Sequence, residues 1–156
     1  MRRSDRAVIE ESKIDEIIRK CACCRVGFYD EGKVYIVPLS FGYSEENGRK
    51  VFYFHSAKEG RKIELIKSSP HVGFEMDTGY ELRVGDKACN YSAAYQSVIG
   101  NGKITFVEVE SGKQNALQEI MYHNTGKRDW DFTQTMLDSV YVFKLVVDSL
   151  SCKERI

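Results

Sequence analysis

The stretch RVGFYDEGKVYIVPLSFGY, residues 25–43, decides what kind of fold this chain can adopt. Arg25 to Tyr29 and Lys33 to Tyr43 are rich in Val, Ile, Tyr and Phe. Asp30-Glu31-Gly32 between them has turn chemistry, so the stretch reads as a β-hairpin. Pro38 falls inside the second run. A proline has no amide proton to give a ladder, so that run belongs at a sheet edge or at a bulge. Hairpin-connected strands with a marked edge imply an antiparallel sheet.

Downstream, Asn47-Gly48 marks a second hairpin turn before a strand from Lys50 to His55. A helix from about Glu59 to Lys67 carries Ile63 and Ile66 on one side and stops at Ser68-Ser69-Pro70. His71 to Asp77 and Tyr80 to Val84 read as two strands, residues 85–90 as a loop, and Ser97 to Val109 as a long strand made irregular by Gly100-Asn101-Gly102. Ser111 to His123 reads as a helix. A loop then carries Trp130, Thr133 to Asp138 makes one or two helical turns, and Val140 to Val147 is the last strand. Upstream, Ser12 caps a helix with Ile14, Ile17, Ile18 and Cys21 at helical spacing, ending near Ala22. Six or seven strands with about three helices, and no regular strand-helix alternation, argue against a doubly wound parallel sheet. The expected fold is mainly β with peripheral α: one antiparallel barrel domain over residues 1–156, without repeats or linkers.

Charge narrows function. The 23 basic and 23 acidic residues cancel and no basic stripe stands out, which disfavours nucleic acid as a partner. The N-terminus, MRRSDRAVIEESK, has positive charge but no apolar core of a signal peptide, and no run approaches a membrane span. The chain reads as cytoplasmic. Of 5 cysteines, Cys21, Cys23 and Cys24 cluster and Cys89 and Cys152 stand apart. A structural zinc site wants two paired ligand clusters, and only one is present, so no metal is expected and the cysteines read as reduced thiols. Gly100-Asn101-Gly102 lacks the helix and third glycine of a dinucleotide fingerprint. There is no Gly-x-Ser-x-Gly elbow, and His55, His71 and His123 are scattered.

The chemistry concentrates in VFYFHSAKEGRKIELIK, residues 51–67. A strand ends in His55-Ser56, and Gly60-Arg61-Lys62 opens a helix. Free amides and the dipole of a helix start favour an anion, Arg adds a forked donor, Lys a compact charge, and Gly60 permits close backbone approach. The pattern points to a phosphate. The proline-broken strand before it leaves backbone polar groups unpaired, which a flat heteroaromatic ring with polar edges can satisfy. Phosphate and ring together suggest flavin mononucleotide (FMN).

VYIVPLSFGY (34–43), VFYFHSAKEGRKIELIKSSPHVGFEMD (51–77) and YSAAYQSVIGNGKITFVEVESGKQNALQEIMYH (91–123) follow one another at spacings that resemble the pyridoxamine 5'-phosphate oxidase-related flavoproteins, and within them the nitroimidazole-resistance branch. The resemblance implies a six- to seven-stranded split β-barrel that forms a homodimer, with FMN in two sites at the subunit interface. It implies that Val37, Pro38, Leu39 and Ser40 line the isoalloxazine, and that His55 and Ser56 flank the ribityl chain and phosphate. Arg61 and Lys62 would bind the phosphate, and Tyr95, Gln96, Ser97 and Trp130 would approach from the partner subunit. The activity it implies is electron transfer from reduced FMN to a small acceptor such as a nitroaromatic or a quinone, with His55 as the candidate proton donor. The alternative is a carrier or sensor that binds FMN without turnover. The C-terminal SLSCKERI lacks the basic motif with which true pyridoxamine phosphate oxidases grip their substrate, which disfavours a vitamin B6 substrate.

Overall fold

The computed structural model describes residues 4–156; residues 1–3, whose charge entered the reading of the N-terminus, lie outside the described residues. The 25–43 hairpin forms as β2 (Cys24–Asp30) and β3 (Lys33–Leu39), paired antiparallel from Cys24↔Leu39 to Asp30↔Lys33. With β1 (Ala7–Val8), β4 (Gly42–Glu46), β5 (Arg49–Ala57), β6 (His71–Arg83), β7 (Ser92–Phe106) and β8 (Val140–Arg155), they make one antiparallel sheet in the order β3-β2-β6-β7-β8-β5-β4. β1 pairs with the far end of β8. Four helices attach to it: α1 (Glu11–Lys20), α2 (Arg61–Ser68), α3 (Glu110–Thr125) and α4 (Gln134–Ser139).

Several boundaries differ from the sequence reading, each for a physical reason. The run from Lys33 to Tyr43 is not one strand. Pro38 stays in β3, opposite Arg25 on the sheet's outer strand where no donor is needed, and the chain breaks instead at Ser40-Phe41. His71 to Arg83 is a single strand, because the turn chemistry around Gly79 (φ +66°) makes a bulge between Thr78 and Glu81 rather than a break. β8 runs past Val147: the register skips Asp148 between Asn101↔Ser149 and Gly102↔Val147, so the polar Asp148-Ser149 pair is a bulge and not an end. The same slip is the irregularity read at Gly100-Asn101-Gly102. α1 is capped at Glu10, and Ser12 lies inside the helix, its hydroxyl donating to the Glu10 carboxylate at 2.6 Å. α3 continues to Gly126, whose left-handed conformation closes it.

Alternation along these strands gives two apolar layers. Val26, Phe28, Phe52, Phe54, Phe74, Met76, Phe143 and Leu145 point inward and meet Ile14, Ile17 and Ile18 of α1 and Ile63 and Ile66 of α2. On the outer face, Val51, Tyr53 and Val142 are covered by Ala116, Leu117 and Ile120 of α3 and Leu137 of α4. α3 comes so close to β4 that a Cβ on Gly42 would sit 2.5 Å from the Ile120 amide nitrogen. Among the described residues no helix is long and apolar enough to cross a membrane. Cys21, Cys24 and Cys152 are buried free thiols. Burial raises all three, Cys21 to about 12 and Cys152 to about 11, so they behave as small apolar residues.

Candidate functional site

The sheet does not close. β4 pairs with β5 only from Glu46↔Arg49 to Gly42↔Tyr53, so among the described residues Phe54 to Ala57 keeps one edge without a strand. Among the described residues β3 has β2 on one side and no strand on the other. These two open edges diverge from one corner, at Ser40-Phe41 between β3 and β4. A planar ligand with polar edges could take the backbone bonds that no strand takes there. Val37 and Leu39 pack their side chains against the core, so their contribution to the opening is backbone, whereas Pro38 and Ser40 are exposed.

α2 starts beside the end of β5. Its cap is Gly60 at φ +121°, a conformation that glycine adopts without a Cβ penalty. The Gly60 carbonyl accepts from the amides of Ile63 at 3.0 Å and Glu64 at 3.4 Å. Gly60 offers no side-chain acceptor, so the amides of Arg61 and Lys62 are left to solvent or to an anion.

The predicted side chains divide around this turn. His55 faces outward and is exposed; Ser56 faces inward, buried, with its hydroxyl donating to the Ala57 carbonyl at 2.8 Å. The strand's alternation therefore sets two sequence neighbours on opposite faces. Although the residue is exposed overall, partial desolvation of the ring, and then the Lys62 charge, favour the neutral imidazole and hold His55 below its ordinary value of 6.5. Arg61 is held by carboxylates. It binds both carboxylate oxygens of Asp30, with Nε 3.2 Å from Oδ2, and its Nη1 donates to Glu64 at 3.1 Å. That cluster lines a cavity of about 410 Å³ with Tyr29, Glu31 and Leu65. Sequence reasoning missed Asp30 as the partner of Arg61, although a carboxylate at the β2–β3 turn was the available signal.

Tyr95, Gln96 and Ser97 lie elsewhere. His55 faces Val142 across β8, and Ser97 faces Lys153, eleven residues further along that strand. In extended chain that is on the order of 30 Å, so one subunit does not bring these groups together. Tyr95 accepts a hydrogen bond from Arg6 at 3.4 Å, and Gln96 donates to Glu154. Trp130 is exposed in the α3–α4 loop, its indole donating to the Lys127 carbonyl at 3.0 Å and its amide to Gln118 at 3.1 Å. Among the described residues no group of three or more His, Cys, Asp or Glu could hold a metal ion.

The assigned cause of the His55 shift is testable. An NMR titration of the imidazole is expected to give a midpoint below 6.5, and Lys62→Met is expected to raise it because one source of repulsion is gone. An unmoved midpoint would remove Lys62 from the surroundings of His55. The linked stability has the depressed-histidine sign. The folded state binds the proton later than the unfolded chain, so stability falls as pH drops below about 6.5.

The eight-stranded antiparallel sheet, open at one corner and flanked by helices, defines a split β-barrel. The chain belongs to the pyridoxamine 5'-phosphate oxidase family, whose model matches residues 10–154. A candidate 5-nitroimidazole antibiotic resistance protein from Bacteroides thetaiotaomicron has the same fold, with a TM-score of 0.81 and 32% identity over 94% of this chain and 85% of its own. This places the chain with the nitroimidazole-resistance-like members. A flavocytochrome from Azotobacter vinelandii superposes at a TM-score of 0.80 with 18% identity, over 100% of this chain and 72% of its own. An FAD- and haem-binding protein from Mycobacterium smegmatis superposes at 0.82 with 14% identity, over 96% and 73%. At those identities the last two show the fold alone. No curated protein sequence matches the chain.

Proposed function

We propose that the chain binds FMN at the open corner, as a homodimer, and serves as an oxidoreductase that delivers electrons to a small acceptor such as a nitroaromatic or a quinone. The observation that carries this reading is the junction of two kinds of unused backbone: the open edges of β3 and β5, and the uncapped amides of α2 beside Lys62. The first fits a flat ring with polar edges and the second fits a phosphate. Bound there, FMN supplies the redox chemistry. The chain supplies the rest. The α2 amides and Lys62 hold the phosphate, Pro38 and the β3 backbone bound the ring, and neutral His55 offers a hydrogen bond or a proton at the mouth. The family and the Bacteroides relative support the direction of this reading.

Dimerisation is supported by the outer face of the sheet. Ile36, Gly27 and Gly73 align across β3, β2 and β6, and Val34, Ile36 and Ile99 on that face are 69%, 62% and 51% exposed. Exposed apolar side chains beside the Arg25, Glu75 and Asp77 ion pairs fit an association surface with a polar rim, and we infer that a second copy brings Tyr95 to Ser97 toward the first copy's corner.

The test is direct. Purified protein is expected to show a flavin absorption band, to release FMN on heating, and to sediment as a dimer. Its reduced form is expected to be re-oxidised by a nitroaromatic or quinone faster than free FMN in the same buffer. Tight FMN binding with no acceptor outpacing free flavin would mean a carrier. Protein that neither holds nor takes up FMN would overturn the assignment.

A further inference from the structure

α2 has a second basic end. Lys67, in its last turn, lines a cavity of about 250 Å³ together with Lys58, Lys113, Phe106, Tyr141 and Glu108. The wall is aromatic: the Phe106 and Tyr141 rings meet at a tilt of 52°, with 5.1 Å between centroids. Lys58 and Lys67 both bring their ammonium groups over the Tyr141 ring, at 5.6 and 5.7 Å from its centroid. Lys113 is already used, donating to the carbonyls of Leu137 and Val140 at the end of α4. Lys58 and Lys67 have no carboxylate within ion-pair distance among the described residues, and Glu108 pairs with neither.

Two ammonium groups gathered on one ring repel each other, and the ring quadrupole offsets this only in part. An anion set between them would relieve the repulsion, and an aromatic body attached to it would lie on Phe106 and Tyr141. The cavity is too small for a nucleotide and of a size for a single ring. Its Lys67 end lies away from the phosphate cradle, although Lys58 belongs to the turn before Gly60. Lys67 is five residues along α2 from Lys62, roughly 7.5 Å on the helix axis. Tyr141 lies opposite inward-facing Ser56, not outward-facing His55.

We propose that this cavity is a binding site for a monocyclic aromatic anion, an aryl carboxylate or aryl phosphate, held by Lys58 and Lys67 over Tyr141. The proposal does not depend on flavin binding. Calorimetry with benzoate and phenyl phosphate, against benzamide, acetate and inorganic phosphate, tests it on the full chain with and without saturating FMN. The aryl anions are expected to bind saturably, at least tenfold more tightly than the neutral amide or the non-aromatic anions, with or without FMN. Lys58→Gln and Lys67→Gln are each expected to weaken them severalfold, and Glu108→Gln to strengthen them by removing a like charge. Binding that FMN abolishes would place the probe in the flavin site and overturn the proposal. So would affinities unmoved by the lysine substitutions, equal binding of inorganic phosphate, or no saturable binding.

Discussion

The Arg61→Ala/Lys62→Ala double variant is expected to bind FMN about a hundredfold more weakly than the wild-type chain, with unequal shares from the two residues. A charge-assisted hydrogen bond contributes about 1.5–3 kcal/mol, or roughly tenfold or more in affinity for each. Lys62 has no carboxylate to leave among the described residues, and its charge already reaches His55. Its loss should act in full. Arg61 must first release Asp30 and Glu64, pairs that sit at the surface with about half of the arginine side chain exposed. Exposed pairs of this kind contribute about 0–1 kcal/mol, so release is feasible but subtracts from what Arg61 can add. Lys62→Ala should therefore weaken FMN more than Arg61→Ala. Asp30→Asn should tighten FMN slightly by freeing the guanidinium. Fluorescence quenching of FMN titrated with each variant measures all four. An unchanged dissociation constant in the double variant would sink the phosphate assignment. A larger loss in Arg61→Ala than in Lys62→Ala would mean that Arg61 swings fully onto the ligand.

Much of this geometry was legible in the residues, and the limits of legibility have physical causes. Pro38 announced an edge strand because its missing amide proton is a fact of covalent chemistry, independent of context. Gly60-Arg61-Lys62 announced a helix start for the same kind of reason. What escaped was set by pairing. Nothing within β5 says that β4 stops at Gly42 and leaves Phe54 to Ala57 open, because that depends on where a different segment turns at Ser40-Phe41. The length of β8 escaped because Asp148 looks like an end in sequence and is a bulge only against β7. Ser56 shows a third limit. Motif reading joins it to His55, but a strand alternates its side chains, and the buried face took the hydroxyl. Arg61 shows a fourth, since its Asp30 partner lies thirty-one residues earlier, in a turn read only for its hairpin chemistry.

Lys50→Ala is expected to destabilise the fold by on the order of 3 kcal/mol, and Lys50→Met by less. The Lys50 side chain is only 9% exposed, and its ammonium holds Asp15 at 2.6 Å and Glu11 at 2.9 Å, with the Tyr43 hydroxyl at 3.3 Å. Tyr43 in turn donates to Asp15 at 2.5 Å. This network ties α1 to β4 and β5, and α1 supplies Ile14, Ile17 and Ile18 to the inner core. Burial by itself would push the Lys50 ammonium down, but the bonds from Asp15 and Glu11 overturn that and leave it well above the ordinary lysine range. For Asp15, burial opposes ionisation, and the bonds from Lys50 and Tyr43 win, holding its carboxyl below 3.8. Removing the cation strands a partly buried carboxylate, which is where most of the cost arises. Methionine refills the stem's volume and so loses less packing than alanine. The pH dependence separates charge from packing. Asp15 has a depressed folded value, so its contribution is present above about 3.8 and is lost as pH falls below it. Urea denaturation at pH 7 and near pH 3 is therefore expected to show the gap between wild type and Lys50→Met narrowing in acid. A gap of equal size at both values would assign the loss to packing of the lysine stem, and α1 would then be held by its apolar face alone.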